Sequence, residues 1–270
     1  MRGILLLLFL SYCVTVDESI DGKAKSIQFN VCFWRAEKLN SKILNDTKNL
    51  LVTLGSNCDS ISFTEIKADN EGLPNELENI FSKLGYNYTC LDSFHDEKTH
   101  LTHTKYITCA NNNKVVEIKP FEYADTRRDF SSPPTFFFLE LTNGTKANIL
   151  PFHAHAGNKN ELIDFERVVN FSFQQFSERK TFLGGDFYTD KKYHSESFLK
   201  SLLYFQILKN LILEPTTISG EKNDILMTDK ITALNCKGNT LIKYSSSSPV
   251  SKELELVSNH FPIIAQCKLK

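Results

Sequence analysis

The chain has 270 residues, a length that suits one sheet-rich domain or two small ones. It is 41% hydrophobic, with 21 phenylalanines to fill a core, and its composition is globular. A formal net charge of −1 excludes a global basic field, so a polyanionic partner must be held by a local patch or through a metal ion.

Residues 1–16 have the build of a secretory signal: Arg2 supplies the charge, Ile4 to Leu10 the short apolar stretch, and small or neutral residues follow before Asp17 and Glu18. The apolar run is well short of the roughly 20 residues a membrane-spanning helix needs. The sequence therefore predicts a secreted protein with no membrane anchor, cleaved between residues 16 and 22, and a single domain over 26–268.

Beyond the leader, strand and helix patterns alternate. Ile27–Trp34 reads as a strand, Ser41–Leu54 as a helix carrying Ile43, Leu50, Leu51 and Leu54 on one face, Ser60–Glu65 as a strand and Leu73–Leu84 as a helix. Strand-like runs follow at 86–91, 105–109, 114–119, 135–141 and 147–152. Asn160–Glu178 is the clearest amphipathic helix, with Leu162, Phe165, Val169, Phe173 and Phe176 at helical spacing. Lys180–Leu183 is a strand, Ser195–Leu203 a helix, and Ile225–Met227 and Phe261–Lys268 are strands. Apolar strands interleaved with helices predict sheets covered by helices.

Of seven cysteines, Cys13 falls in the leader, and Cys32, Cys58, Cys90, Cys109, Cys236 and Cys267 remain. An even set in a secreted chain implies disulfides, and the absence of Cys-x-x-Cys argues against a zinc site. Cys90 and Cys109 lie on two strand-like runs joined by a polar loop, which makes them the favoured pair. Glycosylation sequons start at Asn45, Asn87, Asn143 and Asn170.

Several predicted strands carry a polar residue at or near one end: Asn30 on the first, Glu65 on the second, His153 after Phe152, Asp186 after Gly184-Gly185, Asp224 before Ile225, and His260 before the last strand. Ligands bind where strand ends open into loops. Each residue alone is unremarkable: a solvated strand-end carboxylate, an edge amide, a turn or cap. As a set, the carboxylates and amide suit a hard divalent cation and the histidines suit proton transfer.

The ordered set Phe29-Asn30, Phe63-Thr64-Glu65, Phe152-His153, Gly185-Asp186-Phe187, Asn223-Asp224 and Ser258-Asn259-His260-Phe261-Pro262 resembles the secreted type I deoxyribonucleases of the endonuclease/exonuclease/phosphatase superfamily. The resemblance spans about residues 26–268 and implies a four-layer α/β sandwich of two packed mixed sheets flanked by helices. It implies a divalent-metal-dependent endonuclease that hydrolyses DNA as a monomer, with Mg2+ or Mn2+ at the site and Ca2+ as a structural ion. Glu65 would bind the metal, Asn30 and Asp186 would hold metal or phosphate, His153 and His260 would move protons, and Asp224 would orient His260.

The chain departs from the family pattern at four positions. Tyr188 replaces an amide beside metal or phosphate, and Asn259 replaces an aspartate, removing a negative charge. Thr104 falls where the carboxylate partner of the first histidine is expected. Ser132 falls where a phosphate-binding arginine is expected, leaving Arg127 or Arg128 to substitute. These losses favour a second reading, a non-catalytic relative that binds nucleic acid or protein. A third is a phosphodiesterase acting on a phospholipid or inositol phosphate.

Overall fold

A computed structural model describes residues 25–93, 104–127, 130, 132–154, 159–187, 208–212, 214–221 and 223–270. The expected leader over residues 1–16, the predicted helix Ser195–Leu203, Arg128 and Tyr188 lie outside the described residues. One six-stranded sheet contains β1 (Ile27–Arg35), β2 (Ser60–Lys67), β3 (Tyr88–Asp92), β4 (Thr104–Asn111), β11 (Cys236–Thr240) and β12 (Ile263–Leu269), in the order β11-β12-β1-β2-β4-β3. The other contains β5 (Val115–Glu122), β6 (Thr135–Leu141), β7 (Lys146–His153), β8 (Lys180–Asp186), β9 (Leu208–Asn210) and β10 (Asp224–Asp229), in the order β5-β6-β7-β8-β10-β9. Each sheet is mixed, with one parallel pair near its centre, β1–β2 and β7–β8.

Side-chain alternation on β1 builds two layers at once. Phe29, Val31 and Phe33 face the second sheet and join Phe137, Ile149, Phe182 and Leu226 in the core between the sheets. Cys32 and Trp34 face the other way, onto α2 (Lys48–Asn57), α3 (Leu73–Lys83) and α6 (Pro249–Val257), through Leu50, Leu54, Leu77, Phe81 and Leu254. On the far side of the second sheet, α4 (Lys159–Gln175) packs Phe165, Val168 and Val169 onto Leu150, Phe152 and Leu183. The layers are helix, sheet, sheet, helix, the four-layer sandwich.

The predicted helix Ser41–Leu54 is broken in two, α1 (Ser41–Leu44) and α2. Asn40 caps the first piece through Lys42 and Ile43, and buried Thr47 turns its hydroxyl back to the carbonyls of Ile43 and Leu44. Such side-chain to backbone bonds compete with helix continuation. The short α5 (Lys230–Ala233), α6, β9 and β11 have no counterpart in the sequence reading.

Disulfides join Cys32 to Cys58, Cys90 to Cys109, and Cys236 to Cys267. Cys90 faces Cys109 across β3–β4, and Cys236 faces Cys267 across β11–β12. These bonds are consistent with an extracellular protein. Among the described residues no helix is long and apolar enough to cross a membrane.

Candidate active site

The two parallel strand pairs end at the same edge of the sandwich, and the polar side chains there face inward. On β8, Phe182 and Gly184 point to the other sheet, so Asp186 does too. Gly184 permits the sheets to close, since a Cβ there would lie 2.5 Å from the Phe33 ring. Gly185 has φ +140°, and a Cβ would lie 1.9 Å from the Phe152 carbonyl oxygen. Only glycine lets β8 pass that close to β7. The register then sets His153 and Asp224 on either side of Asp186.

On the first sheet, Arg35 follows Phe29, Val31 and Phe33 on the inner face. Glu65 would by alternation follow Ile61 and Phe63 toward the helices. Instead the β2–β4 register shifts between Phe63 and Ile66, Glu65 takes φ +60°, and Ile66 fills the helix-side slot. A bulge with a non-glycine residue in left-handed backbone re-aims a side chain at some strain. The re-aimed carboxylate meets Arg35.

Arg35 is the centre of the cluster. Its Nε–H donates to Glu65 Oε2 in a close contact, and its Nη1 donates to Asp186 Oδ2 at 2.8 Å. The same Nη1 lies 3.1 Å from His260 Nε2, and Glu37 Oε2 lies 3.7 Å from Nε. Asp186 is fully buried, and the Arg35 and Glu65 side chains are each 16% exposed. His153 Nε2 sits 3.3 Å from Glu65 Oε1.

His260 is held by a dyad contact, its Nδ1 2.7 Å from Asp224 Oδ2. Its carbonyl accepts from the Trp34 indole at 3.0 Å, and its N–H donates to Ser258 Oγ at 3.0 Å. Asp224 N–H donates to Thr216 Oγ1 at 3.0 Å, so both partners of the dyad are braced. Burial pulls the His260 pKa down, but the charge and hydrogen bond of Asp224, with Asp186 adding, outweigh it and the opposing Arg35, so the net shift is upward. The two neighbours of Nε2 pull in opposite directions: Arg35 rewards a lone pair there, and Asp186 Oδ2, 3.7 Å away, rewards a proton.

The structure thus brings together Glu65, His153, Asp186, Asp224 and His260, and it adds Arg35, which the sequence reading missed. Asn30 is elsewhere. It lies five positions before Arg35 on β1 and on the opposite face, where its side chain donates to the Asn57 carbonyl at 2.7 Å and its N–H to Asp59 at 2.9 Å. Its part is to tie the end of α2 to the start of β2. Thr104 and Ser132 meet each other, hydroxyl to hydroxyl at 2.7 Å. Arg127 lines a separate pocket of about 240 Å3 with Asp125, Asp164 and Arg167. Asn259 is exposed next to His260, its carbonyl accepting from Ile218 N–H at 2.9 Å.

Asp186, Asp224 and His260 each offer a ligand atom within 4.8 Å of the others, a buried group that could hold a metal ion. In the arrangement seen, however, Asp224 is engaged by His260, and Asp186 and Glu65 are both engaged by Arg35. A hard dication needs those carboxylate oxygens for itself. With Arg35 between them, the residues do not fit Mg2+ or Mn2+.

Known structures of the same architecture include an endonuclease/exonuclease/phosphatase family protein from Bacteroides thetaiotaomicron, 12% identical, with TM-score 0.63 over 91% of this chain and 99% of that one. A family protein from Leptotrichia buccalis is 14% identical, with TM-score 0.63 over 88% and 99%. The human Nocturnin catalytic domain with bound sulfate is 14% identical, with TM-score 0.58 over 90% and 95%. This is the endonuclease/exonuclease/phosphatase fold. No family model and no curated protein matches the chain by sequence.

Proposed function

We propose that this protein is a secreted phosphodiesterase of the nuclease type that hydrolyses DNA. The observation that carries the reading is the buried His260–Asp224 dyad, whose Nε2 is aimed at Asp186 and Arg35 beside a second histidine. A phosphodiester needs neutralisation of its charge, a proton acceptor for water and a proton donor for the leaving alkoxide. Arg35 is the cation at hand for the first, in exchange for its contacts with Glu65 and Asp186. A phosphoryl oxygen is a stronger acceptor for a guanidinium than a neutral imidazole, so an incoming phosphodiester draws Nη1 away from His260. Nε2 then takes the proton of the attacking water, Asp224 stabilises the imidazolium, the P–O bond breaks, and His153, beside Glu65, protonates the alkoxide.

Several features support the extracellular half of the reading: the leader, the disulfides, and sequons that fall at exposed Asn45 and Asn87, at a turn at Asn143 and within α4 at Asn170. The near-neutral chain means that DNA contact rests on local groups and not on a global basic field.

A second reading, a phosphate-binding module without catalysis, is favoured by the Arg35–His260 contact, which occupies the nitrogen that would act as base. Plasmid nicking by the purified protein separates the two. Nicking by wild type but not by His260→Gln supports hydrolysis. Oligonucleotide binding without nicking at any pH, with or without Mg2+ and Mn2+, supports the module.

A further inference from the structure

We propose that Arg35 is the resident cation of this site: its guanidinium stands between Glu65 and Asp186 in place of a divalent ion, and the site takes a phosphate ester without Mg2+ or Mn2+. One planar group bridges the two carboxylates, Nε to Glu65 and Nη1 to Asp186, from strands of different sheets. That bridging suits arginine and not lysine, whose ammonium is a point charge without the rigid fork. The local backbone is shaped for it. Glu65 leaves its regular strand position through a bulge at φ +60°, and the product of that distortion is the contact with Arg35.

Coordination points the same way. Asp186 has no exposed surface, and its Oδ2 is 2.8 Å from a permanently charged donor. A dication at the same carboxylates would sit against that donor and lack the oxygens it needs to replace its hydration shell. A phosphoryl oxygen needs no such set of ligands, because a guanidinium binds phosphate and carboxylate oxygens by the same hydrogen bonds, and it competes with Glu65 and Asp186 for Arg35.

The proposal goes beyond hydrolysis and holds for a binding module as well as for an enzyme. The test is Mn2+ binding followed by electron paramagnetic resonance and calorimetry on the intact secreted chain at neutral pH. Wild type should show no Mn2+ site that depends on Glu65, meaning that Glu65→Gln leaves the titration unchanged up to about millimolar metal. Arg35→Asn should gain a site at least about tenfold tighter, lost again in Arg35→Asn/Glu65→Gln. A wild-type Mn2+ site that Glu65→Gln removes would overturn the proposal. If Arg35→Asn does not fold, the wild-type and Glu65→Gln titrations still decide. Plasmid nicking in EDTA separates this from the functional reading. Nicking that persists in EDTA and is lost in His260→Gln supports both. Absence of nicking with no Glu65-dependent Mn2+ site removes the hydrolase and leaves the resident cation standing. Nicking that requires metal, with Mn2+ bound at Glu65, keeps the hydrolase and ends the proposal.

Discussion

The two histidines of the site are built differently. His260 has a carboxylate 2.7 Å from Nδ1, a serine hydroxyl on its N–H, an indole on its carbonyl and a threonine bracing its partner. His153 is positioned by the β7–β8 register, and its Nε2 lies 3.3 Å from Glu65, a carboxylate that also binds Arg35. A ring fixed through one nitrogen by a dedicated carboxylate presents its other nitrogen in a defined tautomer and gains an imidazolium partner, which is what a base requires. A ring beside a shared carboxylate suits a group that gives up a proton. This difference is the ground on which the proposed roles rest, His260 as base and His153 as acid.

Removing the dyad should have the largest effect. His260→Gln should lower the plasmid nicking rate by about 10²–10⁴-fold, the range for a positioned acid–base group, and Asp224→Asn should approach the same loss by releasing the ring. Nearly full activity in Asp224→Asn would break the comparison, because the dyad would then be packing and not catalysis.

His153→Gln should cost less, near about 10²-fold on DNA. The leaving group sharpens the distinction. On a nitrophenyl phosphodiester, whose leaving group needs no proton, His153→Gln should recover toward wild type while His260→Gln stays impaired. If both recover, or neither does, the acid and base assignments fail.

Most of this frame is legible in the sequence because strand alternation is. Phe29, Val31 and Phe33 mark the inner face of β1, and Asp186 and His153 fall at strand ends where a carboxylate and an imidazole have no packing reason to be. Arg35 was legible by the same rule: it continues the odd-numbered inner series to the end of the strand, whereas Asn30 belongs to the even series with Cys32 and Trp34. The short Phe29-Asn30 match drew attention to the wrong end and the wrong face. Glu65 shows the opposite limit. Alternation alone turns it toward the helices, and only the bulge, a tertiary feature without a local mark, aims it at Arg35. The Thr216 brace and the α6 and β11 segments likewise depend on contacts across the fold that no local pattern encodes.

The smallest expected effect is on stability, and its sign follows from His260. Its pKa is raised on folding: burial lowers it, but Asp224, by charge and hydrogen bond, and then Asp186 outweigh burial and the opposing Arg35. A histidine whose folded pKa exceeds its unfolded value of about 6.5 favours the folded state when protonated. That contribution is complete below about pH 6.5 and is lost as pH rises through the folded pKa. Melting temperatures measured from acid to mildly alkaline pH should thus fall more for wild type than for His260→Gln across that window. Asp224→Asn should flatten the difference, since it removes the leading cause of the elevation. His153 makes a useful contrast, because its exchange for Gln should leave the His260-dependent slope in place. Parallel curves for wild type and His260→Gln would mean that Arg35, 3.1 Å from Nε2, keeps the ring neutral throughout. The dyad would then hold a base that is ready before substrate arrives but gives the folded chain no stability through its charge.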